Sequence, residues 1–263
     1  MAYEYITYEK RGPIAYVTIN RPEVLNALHA GASREMREAF TDFRDDLDCR
    51  VAIVTGTGDR AFSAGADLRE PAKAGWGRRA GEQTGERAGF GGITTGFDLW
   101  KPVIAAVNGY ALGGGFELVL ACDIAVAAEH AQFGLPEPRV GWYAGAAGVH
   151  RLARHIPHKQ AMGMLLTGRR ITAAEALRFG LVNEVVSLPD LMEAAERWAG
   201  EILECGPLSV QASKQMSTQG AQLSIGDAMA RSYSERERLA ASEDAVEGPR
   251  AFVEKRKPNW TGR

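Results

Sequence analysis

The sequence predicts an α/β protein: a parallel sheet joined by helical crossovers, followed by a helical C-terminal region. Three features of the 263-residue chain carry this. Short runs rich in β-branched and small apolar residues recur through the first half. A helical pattern separates two of them. The last third shows helical periodicity and capping signals instead of strands.

In chain order, Ile14–Asn20 alternates in the manner of a strand. A helix is predicted from Ala30 to Asp48, because Met36, Phe40, Phe43 and Leu47 recur at steps of four, three and four on one face. Arg50–Thr55 ends in Gly56, Pro102–Val107 ends in Asn108-Gly109, and Asp123–Ala128 is the third short apolar run. Strand, helix, strand in this order favours parallel pairing through right-handed crossovers. From Pro71 to Gly96 eight glycines break any period, and Lys73, Arg78, Arg79 and Arg87 make the segment basic. It reads as a solvated loop, or as an active-site lid whose cations meet substrate phosphates. Farther on, Thr172-x-x-Glu175 is a capping box for a short helix that Gly180 ends. Pro189–Cys205 carries Leu191, Ala194, Ala195, Trp198 and Ile202 on one face, and Gly206 follows. Two further helices are expected at Ser224–Ala240 and Ser242–Arg256, the second interrupted at Gly248-Pro249. The division is thus a sheet-containing core, 1–206, and a helical region, 207–263.

Composition narrows the function. An apolar share of 45% allows a substantial buried core. A formal net charge of −2 supplies no basic field, so neither nucleic acid nor a membrane surface is an expected partner. Cys49, Cys122 and Cys205 lie far apart without metal-type spacing, which predicts reduced thiols and a cytoplasmic location. The five histidines show no metal spacing with a carboxylate, and Ser63 has no identifiable His/Asp pair. The basic stretch Arg151–His158 reads as a solvated helix face.

Two segments carry chemistry. In Ser63-Ala-Gly-Ala-Asp67, small side chains let a ligand approach the backbone, so the amide of Ala66 is a candidate donor. In the second, a strand runs into Gly113, Gly114 and Gly115 and then an apolar helix. Amides at a helix start lack internal partners and face negative charge favourably, which makes Gly114 a candidate oxyanion donor. The same glycines would also serve tight packing. Glu117 lies in the first turn of that helix, where a carboxylate also suits the dipole, and Glu137 lies in a loop between two prolines. Two carboxylates beside two donors suit a reaction in which one group takes a proton and the other gives one.

These residues carry a family resemblance. Phe62-Ser-Ala-Gly-Ala-Asp-Leu68, Pro102–Leu118 and Phe133-Gly-Leu-Pro-Glu137 closely resemble the enoyl-CoA hydratase (crotonase) family, with the two glutamates twenty positions apart as in the hydratases. The likeness runs from Ile19-Asn-Arg-Pro to the end of the chain. It implies a crotonase-like ββα spiral core, a helical oligomerisation region, and a homo-trimer or hexamer. It also implies an acyl-CoA substrate without metal or redox cofactor, coenzyme A entering as part of the substrate. By the same resemblance Ala66 and Gly114 form the oxyanion hole, Glu117 activates water, and Glu137 exchanges a proton with the α-carbon. Asn26, Ala27 and Leu28, with Ala64, Asp67 and Leu68, match the backbone that wraps adenine and pantetheine. Lys255 matches a tail lysine that reaches a coenzyme A phosphate of the next subunit. Within the family the likeness is greatest to the carnitinyl-CoA dehydratase branch, through Gly89-Phe-Gly-Gly-Ile93, Val107–Leu118 and Ser242–Pro249. Phe116, Trp142 and Tyr143 are then expected at the acyl pocket, with Trp76 and Phe90 closing over it. The chain departs from many relatives in having Pro138 directly after Glu137 and then Trp142-Tyr-Ala-Gly-Ala-Ala-Gly148. Other reactions through the same enolate, isomerisation or thioester hydrolysis, and a non-catalytic RNA-binding or scaffolding role, are the alternatives. The glutamate pair with both donor positions argues against them.

Overall fold

A computed structural model describes residues 3–69 and 89–263. The lid expected from Pro71, with Lys73, Trp76, Arg78, Arg79 and Arg87, lies outside the described residues except at its end. There, Gly89–Gly96 is a packed turn in which Gly91, Gly92, Ile93 and Thr94 are buried.

Strands β1 (Ile6–Arg11) and β2 (Ile14–Ile19) form an antiparallel hairpin. The helix Ala30–Asp45 then crosses to β3 (Val51–Gly56), which pairs parallel with β2. After β3 the chain steps into a second layer at β4 (Ala61–Ser63). The step repeats from β5 (Val103–Val107) to β6 (Tyr110–Leu112), and from β7 (Ile124–Ala128) to β8 (Gln132–Gly134). Strand β9 (Arg170–Thr172) closes the smaller sheet antiparallel to β8, and β10 (Glu184–Val186) extends the larger one parallel to β7. The larger sheet has the order β1-β2-β3-β5-β7-β10 and the smaller β4-β6-β8-β9. Each turn of chain lays one strand in each sheet, so the fold is the ββα spiral of the crotonases.

The strand runs are almost continuously apolar because both faces of the larger sheet are covered. Ala52, Val54, Val103, Ala105 and Val107 face the main core with Met36, Phe40 and Phe43. Val51, Ile53, Ile104 and Ala106 face the helix Leu191–Leu203. Trp198 and Ile202 of that helix pack on this second face, and Trp198 Nε1 donates to Glu184 at 2.9 Å. Much of their apolar surface is therefore covered within the chain.

Several boundaries differ from the sequence expectations. The first long helix stops at Asp45, since the buried Lys101 ammonium caps the carbonyl of Phe43 at 2.8 Å and also that of Asp46. Leu47 is consequently outside the helix and 73% exposed. The helix expected over Ser224–Ala240 is two, Ile225–Ala230 and Ser234–Ala240, because Tyr233 turns inward and donates its hydroxyl to Ala228 O. Asp244–Val253 runs through Pro249 uninterrupted. The preceding Gly248 has no Cβ to clash with the proline ring. The helix Pro207–Gly220 lies within the expected helical region, although no apolar period marks its bounds. It is fixed to the core by Lys214, which donates to Asp123 at 2.7 Å and to Lys101 O at 2.9 Å.

Candidate active site

The site forms where two glycine corners meet between the layers. Ser63 ends β4 and donates its hydroxyl to Asn26 O at 2.8 Å. Leu28 N donates to Gly65 O and Asp67 N to Leu28 O, a one-residue parallel bridge that turns Ala66's own amide the other way. A Cβ on Gly65 would lie 2.9 Å from Gly114 N, so the two corners touch. At the second corner Gly113 has φ 54°, ψ −128°, a conformation that needs glycine, and the helix Gly114–Ala121 begins immediately after. Gly115 is glycine for close approach, since a Cβ there would lie 2.2 Å from Ser63 O. Among the described residues, no acceptor takes a hydrogen bond from the amide of Ala66 or of Gly114. The Phe90 ring lies against Gly114, its Cε1 2.5 Å from where a Cβ would stand.

Glu117 is 4% exposed. Its side chain crosses to the start of the helix Gly148–His155, where Oε1 accepts from Gly148 N at 2.8 Å. Burial pushes its carboxyl up to about 7. The Gly148 amide opposes that rise and the neighbouring Glu137 adds to it. Glu137 opens the 3₁₀ turn Glu137–Val140 and is drawn inward. Its Oε1 is 3.1 Å from the Cβ position of Gly113, and its Oε2 is buried without a protein partner among the described residues. Burial raises this carboxyl too. The structure thus brings Glu117, Glu137, Ala66 and Gly114 to one place, from three separate elements: the helix Gly114–Ala121, the turn Glu137–Val140 and the corner after β4.

Other expected site residues are placed differently. Phe116 is fully buried and packs on Phe133, ring centroids 5.6 Å apart, because its helix turns that side into the core. Trp142 and Tyr143 stack on one another at 5.5 Å instead of facing across a gap, and Tyr143 is 58% exposed. The Trp142 amide is tied to Glu137 O at 3.0 Å, which keeps the pair beside the second glutamate in the chain's path. Asn26, at φ 55°, spends its side chain inside the protein, donating to Thr57 O and Ala61 O and accepting from Arg21 N. Asp67 is held by Arg69 and Arg21, and the Arg69 contact keeps its carboxyl well below the usual range. These two residues build the loop rather than offer free groups to a ligand. Ala27 and Leu28 are buried, and Ala64 N donates to Leu25 O. Leu68 is 54% exposed, and Lys255 is exposed at φ 54° in the tail.

Phe90, expected over the acyl pocket, lies against Gly114. Two further neighbours of the site have no signal in the sequence: the amide of Gly148 and Arg151. The sequence expectation of a solvated basic face over Arg151–His158 holds for the exposed Arg154, His155 and His158 but not for Arg151, which is half-buried and donates to Thr94 O at 2.7 Å. Among the described residues no cluster of His, Cys, Asp and Glu could hold a metal ion, and no helix is long and apolar enough to cross a membrane.

A two-layer ββα spiral with buried carboxylates flanking a pair of free amides defines the class as a crotonase-fold enzyme. Comparison with known proteins agrees: residues 9–263 match the enoyl-CoA hydratase/isomerase family. Carnitinyl-CoA dehydratase of Salmonella arizonae is 46% identical over 98% of this chain and 99% of its own length. The protein of that name from Proteus mirabilis is 46% identical over 96% and 97%. Among solved structures, enoyl-CoA hydratase from Bacillus anthracis superposes with a TM-score of 0.89 at 35% identity, covering 99% of this chain and all of that one. Enoyl-CoA hydratase from Mycobacterium tuberculosis H37Rv gives 0.87 at 38% identity, over 98% and 99%. The chain belongs to the enoyl-CoA hydratase/isomerase family and is a lyase-type enzyme of the hydratase kind, in a family that acts on coenzyme A thioesters.

Proposed function

We propose that the protein adds water to, or removes it from, the 2,3 double bond of an enoyl-CoA, with Glu117 and Glu137 as the acid–base pair. The observation that carries this reading is the pair of inward carboxylates on either side of the Gly113 corner, next to two amides whose N–H donors take no acceptor among the described residues. The thioester oxygen accepts from Ala66 N and Gly114 N, which stabilises the enolate; one such donor is commonly worth roughly a hundred- to thousand-fold in rate. In hydration, Glu117 takes a proton from water as its oxygen bonds to C3. Glu137 gives its proton to C2 as the enolate collapses, and dehydration is the reverse. Burial raises the carboxyl of Glu137, a shift in the direction that favours its protonated form and so its part as proton donor. Every step is a proton transfer or an oxyanion contact, so the chemistry calls for no metal or redox cofactor.

Coenzyme A is placed along the backbone of Ala27–Leu28 and Ala64–Leu68, with Asn26 and Asp67 holding that loop in shape. Lys255 supplies a cation for a phosphate of a neighbouring subunit's ligand. Residues 207–263 serve assembly into a homo-trimer or hexamer, a reading supported by exposed Ile225, Met229, Val246, Phe252 and Val253 and checked by light scattering. Three free thiols support a cytoplasmic location. For the acyl group, the likeness to carnitinyl-CoA dehydratases and the Trp142–Tyr143 stack support a short chain bearing a trimethylammonium.

The test is steady-state hydration of crotonyl-CoA and crotonobetainyl-CoA by Glu117→Gln and Glu137→Gln. Each is expected to lose at least about a hundred-fold in turnover while remaining folded. Near-parent turnover in either would remove the two-glutamate mechanism.

A further inference from the structure

The turn Gly89–Gly96 is held by two arginines that reach it from different helices. Arg37, on the helix Ala30–Asp45, donates to Gly92 O at 3.1 Å and Gly96 O at 3.3 Å. Arg151 donates from Nη1 to Thr94 O at 2.7 Å. Thr94 is fully buried, and its hydroxyl in turn donates to Phe90 O at 2.8 Å. Phe90 is the residue whose ring rests on Gly114. At its other end Arg151 lies one turn past Gly148, whose amide holds Glu117. A single side chain therefore joins the cover of one oxyanion donor to the helix that fixes the base.

We propose that Arg151 is a positioning residue for the reaction, which keeps Phe90 seated on Gly114 and sets a permanent positive charge behind Glu117. The proposal rests on the glutamate mechanism above. A buried carbonyl such as Thr94 O needs a donor, and a guanidinium meets that need while keeping its charge. The seated ring lays an apolar surface beside Gly114, and a low dielectric there strengthens the contact of its amide with an enolate. The ionisable groups facing Arg151 are Glu117 and Cys122 from the preceding helix and His155 from its own. Glu117 faces Glu137 as well as Arg151, and the cation partly offsets what that second carboxylate does. Removing the cation favours the protonated form of Glu117. A base that must be ionised to accept a proton from water then works only at higher pH.

The experiment compares Arg151→Lys, which keeps the charge, with Arg151→Gln, which keeps a donor toward Thr94 O without it. Arg151→Met removes both. Hydration kcat, KM and the pH profile of kcat/KM are measured for each, with Glu117→Gln in parallel. Arg151→Met is expected to lower kcat about ten-fold or more with KM changed less than about three-fold, as for an interaction expressed in the transition state. The acid limb should move up by about half a pH unit or more in Arg151→Gln and stay in place in Arg151→Lys. Limbs that coincide in folded Gln and Lys variants overturn the proposal, as does failure of both to fold, which would make Arg151 a purely structural residue. An active Glu117→Gln removes the underlying mechanism instead, so the two failures are distinguishable.

Discussion

Replacing Glu117 by glutamine should stabilise the folded protein in a pH-dependent way, even as it abolishes most activity. The carboxyl is 4% exposed and its value stands at about 7 against an ordinary 4.5. Below about 4.5 the group is protonated folded or unfolded, and no pH-dependent penalty exists. Between about 4.5 and 7 the folded chain binds more protons than the unfolded one, so stability falls as pH rises. Above about 7 the full loss is present; at about 1.4 kcal/mol for each pH unit it is on the order of 3 kcal/mol. Glutamine is neutral throughout and retains an oxygen to accept from Gly148 N. Glu137 is raised as well, but it is present in both proteins and largely cancels in the difference. For a chain of this size 1 kcal/mol moves Tm by about 2–4 °C. The Tm of Glu117→Gln relative to parent should therefore be higher by roughly 5–10 °C at about pH 8.5 than at about pH 5. Differential scanning fluorimetry at one protein concentration reads this directly. A Tm gap that does not change with pH would refute the claim that Glu117 is held in a desolvated site against its charge.

Two further outcomes follow from the geometry. A methyl at Gly148 would sit 2.8 Å from both Cγ and Oε1 of Glu117, so Gly148→Ala should displace the carboxylate and cut kcat about ten- to hundred-fold, with KM moving much less. Trp142→Leu tests the trimethylammonium reading: an aromatic face is worth about 0.5–2 kcal/mol to such a cation, so a preference for crotonobetainyl-CoA over crotonyl-CoA should shrink by several-fold. If crotonyl-CoA is already the better substrate and the variant affects both equally, the ring has no part in recognising charge.

What the sequence made legible was whatever is encoded locally. Strands β2, β3, β5 and β7 are long enough to show their composition, and Met36, Phe40 and Phe43 mark one face of a helix by period alone. The capping box at Thr172 and the left-handed Gly180 occur where their chemistry predicts them. The smaller sheet was not legible, because three-residue strands such as β4 and β6 have no period to display. Their pairing depends on turns stitched by Asn108, which donates to Gly56 O and Gly58 O. The helix Pro207–Gly220 hides for the opposite reason: it is mostly polar, with Leu208, Ala212 and Gln215 its buried residues. The break at Tyr233 is made by tertiary burial of one ring, which overrides helical propensity on either side.

The same division runs through the site. Glu117 and Gly114 could be read because a helix start advertises its own amides and the carboxylate lies within one turn of them. What fixes that carboxylate arrives from 31 residues away and is a backbone amide, so no side chain marks it. The glycines are informative for that reason. Gly113 is required by its backbone angles, Gly115 by Ser63 O, Gly148 by Glu117 itself, and each records the approach of a group that lies elsewhere in sequence. Arg151 leaves no such trace, since a half-buried arginine bonded to a main-chain carbonyl has the same local pattern as a solvated one. A residue of that kind is found only once the turn it holds and the helix it sits on are seen together. It acts on the carboxylate by charge and on the oxyanion donor by position, and the paired Lys and Gln substitutions separate those two effects.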